Sequence, residues 1–457
     1  GELTVKSRLS GTNGSYLRSS TFYSDLQKKT APGGGALPRV AHEERMRRSM
    51  KPFSCCLLLG CRLATADSSN PAYRNARWLT RGIGSEILTN LLGRGGPPWR
   101  RAFRTGGPRA TADGGGAVAV LTGATGGIGA EVAAGLCGCG YTVIVAARDT
   151  ARGSALVHSL RAAGGQAELV EFHAERARSA IAVSSALRGR PCALLINNAG
   201  VMSTRKDEIL RVNLVGPALL TLALLPALRL HGCARHVQDA APYRVARLAS
   251  HLAACTAYTP SHAAQDAPHS RRRRSPRVVN VGSSSHLRAA CVNPATLHRT
   301  NVDRDLTAYA QSKLGLMQSS TLLRAALPWL TIVDAHPGLV WTPMLQRHWG
   351  ALAPHLESSR LATVLFKTPA VAATTVLTAA FAPRSPPRHW GERSRWRRGW
   401  EAGPYFVNQR PGGFASSESR DEQAARVMWA AIIEPAAREI APASLREVSE
   451  GLLGRLT

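Results

Sequence analysis

Acidic residues are scarce in this sequence. Its 457 residues include 29 aspartates and glutamates against 58 lysines and arginines, which gives a formal net charge of +29. Such an excess favours nucleic acid or an acidic membrane surface as a partner. Most of the excess falls in residues 1–113, 234–277 and 384–400, which contain no recognition helix and no RNA-binding aromatic signature. We therefore expect no nucleic-acid partner, and a nucleic-acid binder is the weakest functional hypothesis.

Cysteines are few and long apolar runs are missing. The nine cysteines are odd in number and lack paired CxxC spacing near histidines, so we predict no metal site and a reducing compartment. The run nearest to the ~18 residues that span a bilayer, Leu214–Leu228, is interrupted by Pro217 and Pro226. Residues 50–66 resemble a short signal peptide. The expected location is the cytoplasm or the surface of the endoplasmic reticulum or of lipids, with secretion if Met50 begins the signal.

Composition divides the chain into segments. Residues 1–113 form a basic, low-complexity extension that we expect to be disordered. A domain follows at 114–435, and residues 436–457 form a tail. Two basic insertions, 234–276 and 384–400, interrupt the domain; they are interpreted as solvated insertions or as sequence absent from the mature protein. The alternative, for the arginine- and tryptophan-rich segment 384–400, is stacking on bases or lying on a membrane.

Within the domain, short apolar runs alternate with amphipathic stretches, which predicts an α/β fold with a doubly wound parallel sheet of Rossmann type. Their β-branched composition predicts strands buried on both faces. The predicted strands are Val118–Leu121, Thr142–Ala147, Ala167–Phe172, Ala193–Asn197, Val278–Val281, Thr331–Ala335 and Tyr405–Val407. The predicted helices are Ile128–Cys139, Ala151–Ala163, Ala177–Leu187, Leu214–Leu230, Ala308–Ala326, Ala370–Ala380 and Asp421–Ile433.

The first strand runs into a glycine-rich turn and then into a helix. A nucleotide pyrophosphate requires glycine for the tight turn, for close approach of backbone N–H groups, and for packing of the helix on the strand. Gly123, Gly127 and Gly129 fit these three roles, and the turn continues into a helix N-terminus that favours an anion. The predicted cofactor-binding residues of this turn are Gly123, Thr125, Gly127, Ile128 and Gly129.

The second strand is followed by Arg148 and Asp149, where the adenosine ribose of a bound dinucleotide would lie. A guanidinium binds a 2′-phosphate, whereas a carboxylate accepts from a 2′-hydroxyl and repels the phosphate. Arg148 therefore favours NADP(H) over NAD(H). Asp149 would favour NAD(H) if it took that place, and its alternative role is to cap the next helix.

Further motifs follow along the chain: Asn197-Asn198-Ala199-Gly200, Asn213-Leu214-Val215-Gly216, Gly282-Ser283-Ser284-Ser285 and Tyr309-Ala310-Gln311-Ser312-Lys313. Tyr309 and Lys313 are four residues apart, so a helix presents both on one face. A neighbouring ammonium lowers a tyrosine pKa by about 1 to 3 units. This pair can therefore exchange a proton with a substrate oxygen.

The combination TGATGGIG, NNAG, NLVG, serine, YAQSK and HPGLVWT resembles the short-chain dehydrogenase/reductase family. The stretches INNAGVM, RVVNVGSSSH, AYAQSKL, HPGLVWT and LFKTP look most like its retinol dehydrogenase group. The resemblance implies hydride transfer between NADP(H) and an alcohol or carbonyl, with a lipophilic small molecule such as a retinoid or polyprenoid as substrate. Expected partners further include a membrane or lipid surface, contacted peripherally, and a second copy in a homodimer.

The resemblance also implies residue roles. Tyr309 would donate or accept the proton, Lys313 would also bind the nicotinamide ribose, Ser283 would hold the substrate oxygen, and Asn213 would anchor a proton relay. Ser284 is the alternative to Ser283, and helix capping is the alternative role for Asn213. The remaining cofactor-binding residues implied by the family pattern are Asn197, Ala199, Pro337, Gly338 and Thr342.

Several positions depart from that pattern. His173 and Ala174 stand where the family places an Asp-Leu pair, only 13 positions separate Gly200 from Asn213, and Pro217 replaces a more flexible residue. No catalytic group is removed. The departures nevertheless keep open a second hypothesis, a catalytically weak nucleotide-binding scaffold that acts through partners.

Overall fold

The computed structural model describes most of the predicted domain and part of the extension before it. The described residues are 70–84, 117–202, 205–233, 275–301, 306–349, 366–382, 404–413 and 415–453. Residues 234–274 and 384–400, and the signal-like stretch 50–66, lie outside them.

One sheet of eight strands organises the described part of the domain, in the order β3-β2-β1-β4-β5-β6-β7-β8. All neighbouring pairs are parallel except the last, β7 with β8. The strands are β1 Val118–Thr122, β2 Thr142–Ala147, β3 Gln166–Glu171, β4 Cys192–Asn197, β5 Arg277–Val281, β6 Thr331–His336, β7 Tyr405–Val407 and β8 Arg410–Pro411. The predicted doubly wound parallel sheet is confirmed.

Helices connect the strands. They are α1 Pro71–Arg77, α2 Ile128–Gly138, α3 Thr150–Ala162, α4 Ser179–Ala186, α5 Lys206–Leu210, α6 Gly216–Cys233, α7 Thr307–Ala326, α8 Pro343–Trp349, α9 Pro369–Phe381, α10 Ser417–Arg420, α11 Glu422–Met428, α12 Glu434–Ile440 and α13 Pro442–Leu453. Within the same described ranges, π-helical segments extend or join them at Trp78–Gly84, Arg211–Val215 and Trp429–Ile433. Short 3₁₀ turns follow β5 at Ser284–Arg288 and Pro294–His298.

The core has two layers, one on each face of the sheet. On one face α6 and α7 bury leucines such as Leu219 and Leu314 together with residues of the C-terminal helices. On the other face α2 and α9 pack through Leu136 and Val376. Most strands are buried on both faces, as predicted, because helices cover both sides. The two edge strands are exceptions, since Gln166 and Glu171 at the ends of β3 and Arg410 of β8 are exposed.

Two boundaries differ from the prediction. Residues 71–84 are helical, although they lie inside the extension expected to be disordered. Helix α1 and its π-helical extension pack on the 3₁₀ turn at Ser284–Arg288, and the composition of the extension gives no sign of these tertiary contacts. Residues 436–453, expected as a tail, are helical and bury Ala437 and Val448 completely. The folded unit therefore includes α1 and extends through α13.

Among the described residues, one helical stretch, Lys206–Gly232, is long and apolar enough to cross a membrane. Most of its apolar window, 78%, is buried inside the domain. This stretch contains the run Leu214–Leu228 that the sequence identifies as its nearest approach to a membrane span. Here it serves as a core helix, with Leu214 and Leu224 fully buried.

Candidate active site

The glycine turn, residues 123–129 between β1 and α2, is so tight that Gly123 and Gly129 have no room for a side chain. Gly123 and Gly127 have positive φ angles of 65° and 55°, which L-residues with a Cβ rarely adopt. A Cβ on Gly129 would lie 2.2 Å from the Gly123 carbonyl oxygen. Thr125 and Ile128 are partly buried in this turn, and α2 begins at Ile128. The first N–H groups of α2 and the bare backbone of the turn form a cradle suited to an anion.

The loop after β4 is hydrogen-bonded to this cradle. The Thr122 hydroxyl accepts from the backbone N–H groups of Asn198 and Ala199, both at 3.0 Å. The Asn198 amide donates to the carbonyls of Thr122 and Gly123 at 3.1 and 2.9 Å. Sequence reasoning missed Thr122 and Asn198, although each belongs to a motif that it identified. They hold predicted residues Ala199 and Gly123 together.

Asn197 does not present its side chain to the cradle. It is 2% exposed, and its amide donates to Asn280 on β5 at 2.8 Å and to Thr221 on α6 at 3.3 Å. The amide of Asn197 instead links β4 to its neighbours inside the core, and the cofactor-binding role of this residue stays a prediction.

Arg148 and Asp149 occupy different environments at the end of β2. The Asp149 carboxylate accepts from the Arg152 backbone N–H at 3.0 Å and caps α3. This is the capping role considered for it. The Arg148 side chain is exposed at the edge of the sheet where the cradle lies.

The loop after β6 lies across the glycine turn. A Cβ on Gly127 would lie 3.3 Å from the Thr342 methyl carbon, which places Thr342 beside the cradle. Pro337 and Gly338 follow β6 directly, and Gly338 has a φ of 98°. Lys367 holds this loop, because its backbone N–H donates to the Leu339 carbonyl at 2.8 Å. Lys367 belongs to the LFKTP stretch, but sequence reasoning gave it no role.

Tyr309, Lys313 and Ser283 form one cluster where β5 meets α7. The Lys313 Nζ donates to the Val281 carbonyl at 2.9 Å and lies 5.8 Å from the centroid of the Tyr309 ring. The Tyr309 hydroxyl and the Ser283 side chain are hydrogen-bonded. Ser284 instead lies against α1 and its π-helical extension, where a Cβ on Gly82 would be 3.1 Å from the Ser284 Cβ. Of the two serines, Ser283 is the one that reaches the tyrosine.

Burial governs the ionisation of this cluster. It raises the pKa of Tyr309, an effect that the hydrogen bond with Ser283 opposes. It lowers the pKa of Lys313 to about 8. The sequence-based expectation was a tyrosine pKa lowered by the neighbouring ammonium, but here desolvation raises the Tyr309 pKa and outweighs the opposing hydrogen bond with Ser283. The Tyr309 hydroxyl therefore carries its proton at neutral pH, the form required to donate it.

Asn213 lies in the π-helical segment between α5 and α6. Its amide oxygen accepts from the Val201 N–H at 2.8 Å, and its amide nitrogen donates to the Val201 carbonyl at 3.0 Å and to the Ser312 hydroxyl at 3.1 Å. A Cβ on Gly200 would lie 3.3 Å from the Asn213 Oδ1 and 3.6 Å from the Lys313 Nζ. Asn213 and Lys313 therefore meet at Gly200, and the side chain of Asn213 links the loop at Val201 to α7 rather than capping a helix.

A parallel sheet with a glycine cradle and a Ser–Tyr–Lys cluster at one edge is the architecture of a Rossmann-type oxidoreductase. Residues 117–237 match the family model described as short chain dehydrogenase. The chain is 34% identical over 286 residues to polyprenol dehydrogenase of Mus musculus, covering 59% of this chain and 72% of that protein. It is 30% identical over 330 residues to dehydrogenase/reductase SDR family member 13 of Homo sapiens, covering 69% and 72%. The chain belongs to the short-chain dehydrogenase/reductase family, within the retinol dehydrogenase-like group.

The solved structures that the chain resembles are more distant. One is a metagenomic short-chain oxidoreductase in complex with NADP, with 22% identity and a TM-score of 0.37 over 60% of this chain and 94% of that one. Another is a single-residue variant of actinorhodin polyketide ketoreductase with NADPH, with 20% identity and a TM-score of 0.40 over 59% and 92%.

Proposed function

We propose that this oxidoreductase uses NADP(H) to interconvert a lipophilic alcohol and its aldehyde or ketone, with a retinoid or polyprenoid as the substrate class. The observation that carries the proposal is the cluster of Ser283, Tyr309 and Lys313, in which a protonated phenol is hydrogen-bonded to a serine and followed one turn later by a buried lysine. The similarity to a protein named polyprenol dehydrogenase supports a lipophilic substrate.

The residues at the edge of the sheet fit a dinucleotide. The glycine turn exposes backbone N–H groups at a helix N-terminus, where the pyrophosphate would bind. Arg148 would hold the 2′-phosphate, and Thr342 lies beside the turn to contact the remainder of the nucleotide. Lys313 would bind the nicotinamide ribose. When bound, the cofactor supplies or accepts the hydride.

The protein's own groups handle the proton. During reduction the substrate oxygen gains negative charge, and Tyr309 donates its hydroxyl proton to that oxygen. Ser283 donates a hydrogen bond to the same oxygen and orients it towards the phenol. In the oxidation direction Tyr309 must act as the base, and the Lys313 ammonium stabilises the tyrosinate. Asn213 holds the Val201 loop beside Lys313 and anchors the proton relay.

The direct test is the reduction of a panel of aldehydes by the full chain with NADPH. The rate is measured as the loss of NADPH absorbance. The panel contains retinal, a polyprenal and a short aliphatic aldehyde of equal reactivity. We expect turnover of at least one long-chain aldehyde, with kcat/KM well above that of the short one. Tight NADPH binding without turnover of any aldehyde would favour the scaffold hypothesis, and equal kcat/KM for long and short aldehydes would contradict the substrate class.

A further inference from the structure

His286 lies three residues after Ser283 and is completely buried. Its Nδ1 is 2.7 Å from the carbonyl oxygen of Ser283. Its Nε2 is 3.3 Å from the backbone nitrogen of Ser416, which precedes α10. The ring also meets Tyr405 of β7 edge-on, with centroids 5.4 Å apart. The imidazole therefore bridges the catalytic serine and the C-terminal part of the chain.

Both partners of the ring require the same tautomer. A backbone N–H only donates, so Nε2 must accept from Ser416, and a carbonyl only accepts, so Nδ1 must carry the proton. Burial lowers the pKa of His286 to about 4, which keeps the ring neutral at neutral pH. A single neutral tautomer thus satisfies both hydrogen bonds.

The far side of this bridge returns to the helix that carries Tyr309. On α7 the Gln318 amide donates to the Glu418 carbonyl, and the Thr321 hydroxyl donates to the Ser419 carbonyl, both at 3.0 Å. The segment 416–419 is therefore bound to α7 on one side and to His286 on the other. The contacts therefore run from Ser283 to His286, then to the segment 416–419, and from there to α7. The hydrogen bond between Tyr309 of α7 and Ser283 closes this circuit.

We infer that His286 is a positioning residue: its Nδ1–H fixes the Ser283 carbonyl and thereby aims the Ser283 hydroxyl at Tyr309, while Nε2 fastens the ring to the segment attached to α7. The catalytic role of Ser283 on which this inference rests is part of the proposed function. The backbone of Ser283 is extended, with φ −153° and ψ 148°, and holding its carbonyl fixes the ψ angle of the residue that carries the hydroxyl. The hydroxyl itself also contacts Ser285, whose backbone N–H donates to it and whose hydroxyl accepts from it, both at 3.2 Å.

Two amide substitutions separate the two hydrogen bonds of the ring. In His286→Asn the amide nitrogen stands near the former Nδ1 and can still donate to Ser283. In His286→Gln the amide oxygen stands near the former Nε2 and can still accept from Ser416, but the side-chain donor to Ser283 is lost and only the backbone N–H of residue 286, at 3.2 Å, still donates to the Ser283 carbonyl. His158→Gln, at an exposed histidine on α3, is the control for loss of an imidazole elsewhere.

We expect kcat for aldehyde reduction to fall about 3- to 10-fold in His286→Gln and less than about twofold in His286→Asn, as for the loss of one neutral hydrogen bond. The Kd of NADPH and the KM should change little in both, and His158→Gln should match the parent protein. Equal losses of kcat in the two His286 variants, in proportion to a fall in Tm, would overturn the inference and leave His286 a packing residue.

A spectroscopic readout keeps this test apart from the proposed function. In protein labelled with ¹³C at the tyrosine Cζ, the Tyr309 resonance, assigned with Tyr309→Phe, reports the hydrogen bond of its hydroxyl without any substrate. It should shift in His286→Gln and stay near the parent position in His286→Asn. An unshifted resonance in His286→Gln contradicts the positioning role even if the parent protein reduces every aldehyde. A shift in a protein that reduces none supports the role while the proposed function fails.

Discussion

Ser283 and Ser284 differ by one position, and that position decides their chemistry. Ser283 is the extended residue before the 3₁₀ turn and its side chain reaches Tyr309, whereas Ser284 is the first residue of that turn and packs against Gly82. Sequence reasoning had to keep both serines, because either can lie at the end of a strand whose last residue is uncertain. A one-residue difference in register was enough to exchange their roles.

Arg148 carries the prediction of cofactor preference at the scale of one residue. If its guanidinium binds the 2′-phosphate, the parent protein binds NADPH more tightly than NADH. Arg148→Ala should remove about 1.5–3 kcal/mol of binding free energy, or roughly 10- to 100-fold in the Kd of NADPH, and leave the Kd of NADH almost unchanged. Titration of protein fluorescence with each nucleotide measures both constants.

The matched control is Arg152→Ala, since Arg152 is a nearby exposed arginine that pairs with Asp149 at 3.3 Å. It removes the same charge from the same end of the sheet. An equal loss of NADPH affinity in both variants would show a general electrostatic effect and argue against a specific phosphate contact. Equal Kd values of the parent protein for NADPH and NADH would contradict the preference itself.

At the scale of elements, α1 shows how tertiary contacts stabilise a helix that local sequence does not predict. Arg74 and Arg77 donate to the carbonyls of Arg288 and Leu287, both at 3.2 Å. Arg77 also pairs with Glu418 at 3.3 Å, with side chains only 10% and 15% exposed. Helix α1 and its extension therefore join the 3₁₀ turn after Ser283 to the segment that His286 contacts.

Breaking the Arg77–Glu418 pair by removing one partner should cost far more stability than breaking a surface pair. Removing one partner leaves the other charge buried, so Arg77→Met should lower the free energy of unfolding by about 3 kcal/mol. Arg77→Met combined with Glu418→Gln should cost less than the sum of the two single changes. Urea unfolding of the four proteins measures the coupling.

The surface pair Arg438–Glu434, at 2.6 Å on α12, supplies the comparison because the arginine is 72% exposed. Arg438→Met should change the free energy of unfolding by only about 0.3–0.5 kcal/mol. The same small change in Arg77→Met would mean that α1 is not docked on the domain as described.

At the level of the whole molecule, the sheet is the part of the fold that the sequence predicts most completely. All seven predicted strands are present with boundaries within one residue, because their β-branched apolar runs suit strands covered on both faces. The short antiparallel β8, Arg410–Pro411, was missed, since two residues carry no periodicity. Helices α2, α3, α4, α6, α7 and α9 were also predicted close to their observed positions, whereas the short helices α5 and α8 were missed.

The sequence indicates which residues belong to the candidate site, but it gives less information on which side chains contact one another there. Motif spacing identified Ser283, Tyr309, Lys313 and Asn213, which the fold brings together at β5, α7 and the loop at Gly200. The inward direction of Asn197 could not be inferred, because a motif gives no information on which way a side chain points. The turn after Ser283 contacts α1 across more than 200 residues of chain and contacts Ser416 across 130 residues, and no local pattern indicates either contact.

The central claim is that Tyr309 transfers the proton during carbonyl reduction. The most direct measurement is the single-turnover rate of NADPH oxidation by Tyr309→Phe with the aldehyde that the parent protein reduces best. Tyr141→Phe, which removes a buried hydroxyl beside Phe381, serves as the control. We predict that Tyr309→Phe binds NADPH with an unchanged Kd and reduces the aldehyde 10²- to 10⁴-fold more slowly, while Tyr141→Phe keeps the parent rate. A Tyr309→Phe protein that reduces the aldehyde at the parent rate would contradict the assigned chemistry.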